Sequence, residues 1–242
     1  MNDIIKNGAE RLGLSITEKQ TDQLVKYARL LKEWNEKMNL TAITDDSEIA
    51  VKHFLDSMTA LCTGRVGSKV IDVGTGAGFP GLVLKIMKPE IEITLLDSLN
   101  KRINFLKAVS EELELEGVEF IHARAEDGGR NNALRAGFDT VVSRAVANMT
   151  TLSEWCVPFL RKNGYFLALK GPLADEELNA ARRAISILGG AVEGVYEADI
   201  PFSDLRHKII MVKKERQTPI KFPRKPGITA KTPIEKCYNL RK

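Results

Sequence analysis

The chain has 242 residues, a formal net charge of +4 and a hydrophobic fraction of 43%, which is the composition of an ordinary folded globule. It has no apolar run of about 18 residues and no basic and apolar leader, so we expect a cytoplasmic protein without membrane contact. Cys62, Cys156 and Cys237 lack CxxC spacing and histidine-rich neighbours, so neither a disulfide framework nor a metal site is expected.

Charge is unevenly divided along the chain. Residues 206–242 carry twelve Lys and Arg and two acids, a net +10, so residues 1–205 sum to −6. A basic terminus on an acidic body favours a polyanionic partner. Four prolines between positions 219 and 233 predict an extended arm laid over a surface, although a solvated terminus has the same composition.

Two amphipathic helices are predicted near the N-terminus. After Thr17, a candidate N-cap, apolar residues recur at three- and four-residue steps from Leu24 to Trp34. The second helix follows Asp45 and carries His53. A helical histidine is more often packed or solvated than catalytic, so His53 is open between a structural role and one that faces RNA.

From Lys69 onward the pattern alternates between strand and helix, which predicts a parallel sheet with helices on both faces. We expect seven strands. The first ends at Asp72 and the second at Asp97, and the other five cover 118–122, 138–144, 164–170, 191–196 and 208–212. The expected division of the chain is an N-terminal helical extension (1–65), an α/β domain (66–214) and a basic C-terminal arm (215–242).

A glycine-rich loop joins the first strand to the next helix. Glycine occupies positions 74, 76, 78 and 81 directly after the apolar strand end. Such a turn needs backbone angles that a Cβ forbids, and a ligand must come close to the backbone. The sequence therefore predicts a nucleotide pocket here, with candidate ligand-binding residues Asp72, Gly74, Gly76, Gly78 and Phe79.

Charge favours one kind of nucleotide. Asp72, Asp97 and Glu126 follow three successive strands, and no Lys or Arg occurs over 70–84. Ligands bind at the carboxyl ends of the strands in open α/β sheets, where these acids would repel a pyrophosphate. The pattern favours the cationic methyl donor S-adenosylmethionine, with a dinucleotide as the alternative because G-x-G-x-x-G can be forced onto positions 76–81.

Arg144 ends the fourth strand, where substrates are usually contacted. An arginine can hydrogen-bond a guanine edge or a phosphate with two donors, whereas the alternative is an ion pair with a pocket acid. The chain has no Asn/Asp-Pro-Pro-Tyr motif and no cysteine at a strand end. A nucleophile with a free lone pair, such as guanine N7, fits the lack of an obvious base.

Several segments together resemble a known family, the bacterial 16S rRNA guanine-N7 methyltransferases of the GidB type, also called small-subunit rRNA methyltransferase G. The resemblance covers nearly the whole chain. Its motifs are the stretches 34–41 (WNEKMNLT), 53–57 (HFLDS), 72–81 (DVGTGAGFPG), 96–102 (LDSLNKR), 125–126 (AE), 143–146 (SRAV) and 221–227 (KFPRKPG).

The resemblance implies a class I S-adenosylmethionine-dependent methyltransferase fold, Rossmann-like with a seven-stranded, mainly parallel sheet and an N-terminal helical extension. It implies methylation of N7 of one guanine in 16S rRNA of the small ribosomal subunit. Gly74 and Phe79 would line the cofactor site, and Arg144 would complete it. The ribose side is assigned to Asp97 and Ser98, and the adenine side to Ala125 and Glu126. Apart from the resemblance, we expect the basic residues Lys101, Arg102, Lys170, Arg224 and Lys225 to contact the RNA.

Two other functions are compatible with the residue chemistry alone. One is a methyltransferase that acts on protein or on a small molecule, and the other is a non-catalytic RNA-binding or ribosome-assembly factor. The intact acids at the strand ends argue against loss of the donor site. A monomer is expected.

Overall fold

The computed structural model describes residues 1–234. Cys237 and the end of the predicted arm lie outside the described residues. Within this range no helix is both long enough and apolar enough to cross a membrane. The same residues contain no group of three or more His, Cys, Asp or Glu that could hold a metal ion.

The N-terminal helices are α1 (Asn2–Arg11), α2 (Glu18–Met38), α3 (Asp46–Ile49) and α4 (Asp56–Cys62). A π-helical turn, Ala50–Leu55, joins the last two into one continuous helix. Thr17 caps α2 as predicted: its hydroxyl accepts the Gln20 N–H, and the Gln20 side chain accepts the Thr17 N–H. The sequence did not predict α1.

One seven-stranded sheet forms the centre of the fold. Its strands are β1 (Lys69–Val73), β2 (Glu92–Asp97), β3 (Val118–His122), β4 (Phe138–Arg144), β5 (Leu160–Lys170), β6 (Gly190–Asp199) and β7 (Arg206–Lys214). The strand order is β3-β2-β1-β4-β5-β7-β6, and only β7 is antiparallel to its neighbours. This confirms the predicted sheet, although β5 begins at Leu160 rather than at 164.

Helices cover both faces of the sheet. The remaining ones are α5 (Gly81–Met87), α6 (Asn100–Glu112), α7 (Ala125–Gly128), α8 (Met149–Cys156), α9 (Ala174–Ile187) and α10 (Ile228–Lys231). Tyr27 and Phe54 of the N-terminal part share one buried cluster with Leu82 and Phe105 of the α/β part. The predicted parts 1–65 and 66–214 therefore share a core, and the domain division stays a prediction.

The strand order fixes where a ligand can bind. The chain runs outward from β1 through β2 to β3 and then returns to the other side of β1 with β4. Open α/β sheets bind ligands in the crevice beyond the carboxyl ends of the strands at such a reversal. The glycine loop after β1 and Arg144 at the end of β4 therefore flank the same crevice.

The basic arm is docked on the body as far as residue 234. Arg224 forms an ion pair at 2.6 Å with Glu154, which is fully buried in α8. Arg135 donates hydrogen bonds to the carbonyl oxygens of Thr218 and Phe222. The arm is laid over a surface as expected, but the Arg224 side chain, predicted to bind RNA, faces the protein because it neutralises a buried acid.

Replacement of Arg224 by alanine should destabilise the fold. It would leave the buried Glu154 carboxylate without its cation, and breaking a buried pair in this way costs about 3–5 kcal/mol. Urea unfolding measures the loss. Arg29→Ala is the matched control: it breaks an exposed pair with Glu33 whose side chains are 64% and 59% accessible, and it should cost less than about 1 kcal/mol. Equal losses in the two variants would contradict a supporting role for Arg224.

Candidate active site

Hydrogen bonds from β2 shape the glycine loop. The Gly74 N–H donates to the Leu96 carbonyl at 2.8 Å, and the Gly76 N–H donates to Asp97 Oδ2 at 2.9 Å. Both glycines have positive φ, +72° and +61°, a region that other residues rarely adopt. From the other side, the Tyr27 hydroxyl of α2 donates to the Ala77 carbonyl. The loop is thus fixed before any ligand binds.

A cavity of about 490 Å³ opens above this loop. It spans the carboxyl ends of β1, β2 and β4 and reaches the start of α7. Eight of the ten predicted cofactor-binding residues line it: Gly74, Gly76, Phe79, Asp97, Ser98, Ala125, Glu126 and Arg144. Its volume suits one nucleoside-sized ligand.

Asp72 and Gly78 lie behind the cavity, which corrects the expectation that they line it. The fully buried Asp72 carboxylate accepts hydrogen bonds from Thr75 Oγ1 and the Gly81 N–H, both at 2.8 Å, and so ties the loop to α5. A Cβ at Gly78 would lie 2.4 Å from the Tyr27 hydroxyl oxygen. Glycine is therefore required at position 78 because a protein side chain, and not a ligand, lies close to its backbone.

The charge of the site also differs from the expectation. Burial raises the pKa of Asp72 to about 7, although the hydrogen bonds from Thr75 and Gly81 act to lower it. This carboxyl is therefore not a full anion at neutral pH. Arg102, Arg124 and Arg144 line the cavity together with the acids. The sequence argument placed Arg144 in the pocket, but it assigned Arg102 to RNA and did not consider Arg124.

Asp97 has the geometry expected of a ribose-binding carboxylate. It is 2% exposed and lines the cavity. Its Oδ1 accepts the Leu99 N–H at 2.9 Å, and its Oδ2 accepts Gly76 N–H and, at 3.3 Å, Arg102 Nη1. Arg102, predicted to contact RNA, lies within this site and pairs with Asp97.

Arg144 sits at the centre of a buried polar cluster. Its Nη1 donates to Asp56 Oδ2 at 2.6 Å and to the Lys52 carbonyl at 3.1 Å, and its Nη2 donates to His53 Nδ1 at 3.2 Å. The guanidinium carbon lies 5.0 Å from the Phe79 ring centre. Arg144 therefore pairs with an acid and also lines the pocket, and its contact with a substrate stays a prediction.

The tautomer of His53 follows from its partners. A guanidinium only donates, so Nδ1 must accept from Arg144, and Nε2 then carries the hydrogen and donates to Thr41 Oγ1 at 2.9 Å. Burial and the Arg144 charge lower the pKa of His53 to about 4. His53 is neutral with both nitrogens engaged, and its ring stacks on Phe79 at 4.5 Å. It has no free lone pair with which to accept a substrate proton.

Asp56 connects this cluster to strand β7. Its Oδ1 accepts a hydrogen bond from His207 Nδ1 of β7 at 2.7 Å, while Oδ2 accepts from Arg144. Burial alone would raise the pKa of Asp56, but the His207 hydrogen bond and the Arg144 charge bring it below its usual value. The carboxylate therefore stays ionised.

The other predicted RNA contacts are dispersed. Lys101 is exposed, and its Nζ donates to the Met38 carbonyl at 3.4 Å. Lys170 is 7% exposed and pairs with Glu177 at 2.6 Å, so it faces the protein. Lys225 is exposed on the arm, and its role stays a prediction.

Sequence reasoning missed several residues at the site, among them Arg124, Thr41, Trp155 and His207. Thr41 and Trp155 line the cavity, and His207 supports Arg144 through Asp56. The Trp155 indole N–H is buried and has no hydrogen-bond partner within residues 1–234. Thr41 lay inside a motif of the resemblance, whereas nothing local in the sequence marks Trp155 or His207.

Comparison with known proteins relates the whole chain to one family. A family model described as rRNA small subunit methyltransferase G (GidB) matches residues 20–204. Curated relatives of that name include one from Alkaliphilus metalliredigens, 49% identical, with 96% of this chain and 98% of the relative covered. Another, from Clostridium perfringens, is 51% identical with the same coverage. Among solved structures, TrmN from Thermus thermophilus is similar in fold, with a TM-score of 0.50 at 16% identity over 66% of this chain and 48% of that one.

The low pKa of His53 can be tested by NMR titration of the three histidine rings. The His53 ring, assigned by its loss in His53→Gln, should show no titration between about pH 6 and 8. Arg144→Met should raise the pKa of His53, because the nearby charge is gone, but only in part, because burial remains the larger cause. A His53 ring that titrates in the ordinary range in the unaltered chain would contradict the proposed tautomer.

Proposed function

Because the chain belongs to the rRNA small subunit methyltransferase G family, we propose that it methylates N7 of a guanine in 16S rRNA with S-adenosylmethionine as the donor. The choice of N7 is supported by one observation at the cavity wall. His53, the histidine at that wall, is neutral and engaged at both nitrogens, so it cannot take a proton from a substrate. Guanine N7 already carries a free lone pair and requires no base.

The residues of the cavity fit the donor. Bound S-adenosylmethionine supplies an electrophilic methyl group attached to a sulfonium. A Cβ at Gly76 would meet no atom nearer than the Gly74 carbonyl at 4.0 Å, so the loop leaves open space where a ligand can approach its backbone. Trp155 also lines this cavity, where its indole ring offers an aromatic surface to a nucleoside.

The remaining residues have binding and orienting roles. Asp97 and Ser98 would hold the ribose, Ala125 and Glu126 would border the adenine, and Arg144 would lie beside both the donor and its acceptor. Orientation of two reactants along one axis is worth about 7–11 kcal/mol and requires no proton transfer. A ribosomal substrate also implies a cytoplasmic location, which stays a prediction together with the monomeric state.

The test is transfer of labelled methyl from S-adenosylmethionine to unmodified small ribosomal subunits and to naked 16S rRNA. We expect label on one guanine, mapped to N7 by borohydride reduction and aniline cleavage, because such cleavage is specific for the N7-methylated base. Subunits that already carry the modification are the control and should accept no label.

Other outcomes separate the alternatives. Label on a different atom would reject N7 and keep the enzyme. Label on neither RNA, with donor binding intact in calorimetry, would favour a protein or small-molecule substrate. A chain that binds no donor would be a non-catalytic factor.

Asp97→Asn should weaken donor binding at least about tenfold, or about 1.4 kcal/mol, because it removes an anion that faces the cationic donor and its ribose hydroxyls. Calorimetry measures the change, and thermal unfolding checks the fold. Asp127→Asn is the control: this acid is exposed on α7 and does not line the cavity. Unchanged affinity in a folded Asp97→Asn variant would remove Asp97 from the donor site.

A further inference from the structure

A second cavity of about 620 Å³ adjoins the donor cavity. The two share a wall at the carboxyl end of β4. Residues that line both cavities are His53, Arg144, Ala145 and Val146. A group in one cavity can therefore meet a group in the other across this wall.

We propose that the second cavity receives the acceptor base, and that Asp56 and His207 are positioning residues that hold Arg144 beside the base and the donor. The proposal rests on the proposed function and names the acceptor side of the same site.

The backbone of the shared wall supports this assignment. Ala145 has a φ of +54° and is exposed between the two cavities. A left-handed conformation is unfavourable for alanine, and such strain concentrates at functional sites. The strained residue follows Arg144 directly and, like Arg144, lines both cavities.

The chemistry of the lining suits a nucleotide. Enzymes that modify a base within folded RNA or DNA take it out of its stack into a pocket. Apolar side chains line part of the cavity, those of Ile43, Val146, Leu169 and Leu205, and can cover the faces of a planar base. Lys52, whose side chain is 37% exposed, stands at the border and can approach a phosphate. The two acids of the cavity, Asp56 and Glu177, are both paired with cations.

Arg144 has donors left for a ligand. Within residues 1–234, three of its five N–H groups have described partners, on Lys52, Asp56 and His53. The Nε hydrogen and one Nη2 hydrogen lack a described partner in that range. Guanine O6 is an acceptor beside N7 and is commonly bound by arginine. Binding at O6 would leave the N7 lone pair directed at the donor.

Asp56 and His207 fix the orientation of this arginine. Asp56 is 1% exposed, and its two oxygens connect Arg144 at 2.6 Å with His207 at 2.7 Å. A buried carboxylate is stable only where its charge is neutralised. Movement of Arg144 would leave this charge without its main partner, so the guanidinium is held in one place.

The first test fills the second cavity without touching the donor cavity. Leu205 lines only the second of the two and is 39% exposed, so tryptophan can be accommodated there. Leu205→Trp should lower kcat/KM for RNA at least about tenfold and leave the donor Kd unchanged. Leu173→Trp is the matched control, since Leu173 is 60% exposed and lines neither cavity.

The second test concerns the positioning residues. Asp56→Asn should lower kcat at least about tenfold while the Kd values for donor and RNA stay within about twofold. His207→Asn keeps an N–H donor near the Nδ1 position and should retain more activity than His207→Ala. Asp175→Asn, which breaks an exposed pair with Lys208, is the control and should match the unaltered chain.

The outcomes separate this proposal from the proposed function. An unaltered chain that methylates no RNA would remove the proposed function before any variant is compared. With transfer established, equal activity of Leu205→Trp and the unaltered chain, or equal losses in Leu205→Trp and Leu173→Trp, would overturn the acceptor site. If Asp56→Asn fails to fold, His207→Asn and His207→Ala test the positioning role. Equal activities of these two variants would reject it.

Discussion

The buried Asp56 carboxylate makes the interaction on which both cavities depend. It joins the start of α4, the end of β4 and the start of β7 through Arg144 and His207. Removing one partner of a buried ion pair is far more costly than making the pair is favourable. Relative movement of any of the three elements would separate Asp56 from a partner and so incur the cost of an unpaired buried charge. The Arg144 guanidinium in the wall between the cavities is therefore held in place for an electrostatic reason.

That fixed position explains why the N-terminal helices are part of the catalytic unit. Tyr27 of α2 holds the glycine loop at Ala77, and the π-helical turn supplies His53, which stacks on Phe79 and accepts from Arg144. A π-helical turn within an α-helix is uncommon and often marks a functional site. Here it gives the donor cavity one wall from outside the sheet. A methyl transfer that needs no base depends on such walls, because orientation is the main contribution that the protein makes.

Much of the fold followed from local pattern, and the parts that did not were set by distant contacts. Alternating periodicity from Lys69 predicted the sheet, and the capping residues at Thr17 predicted the start of α2. For Asp72 the pattern predicted the position in the strand but not the direction of the side chain, which turns under the loop to Thr75 and Gly81. The pair of Asp56 and His207 spans 151 positions and that of Glu154 and Arg224 spans 70. No local sequence pattern indicates a pair of residues that lie so far apart in the chain.

Net charge gave the class of partner but not its position. The basic terminus suggested an anion, yet several of its cations act within the protein. Arg224 neutralises Glu154, Lys208 pairs with Asp175, and burial lowers the pKa of Lys214 to about 7. A formal count of charges therefore overstates what residues 206–242 offer to RNA. Phosphate contacts set affinity and its salt dependence, whereas the choice of a base depends on donors held at fixed positions. In this chain the fixed donor is Arg144, and Asp56 rather than the arm holds it there.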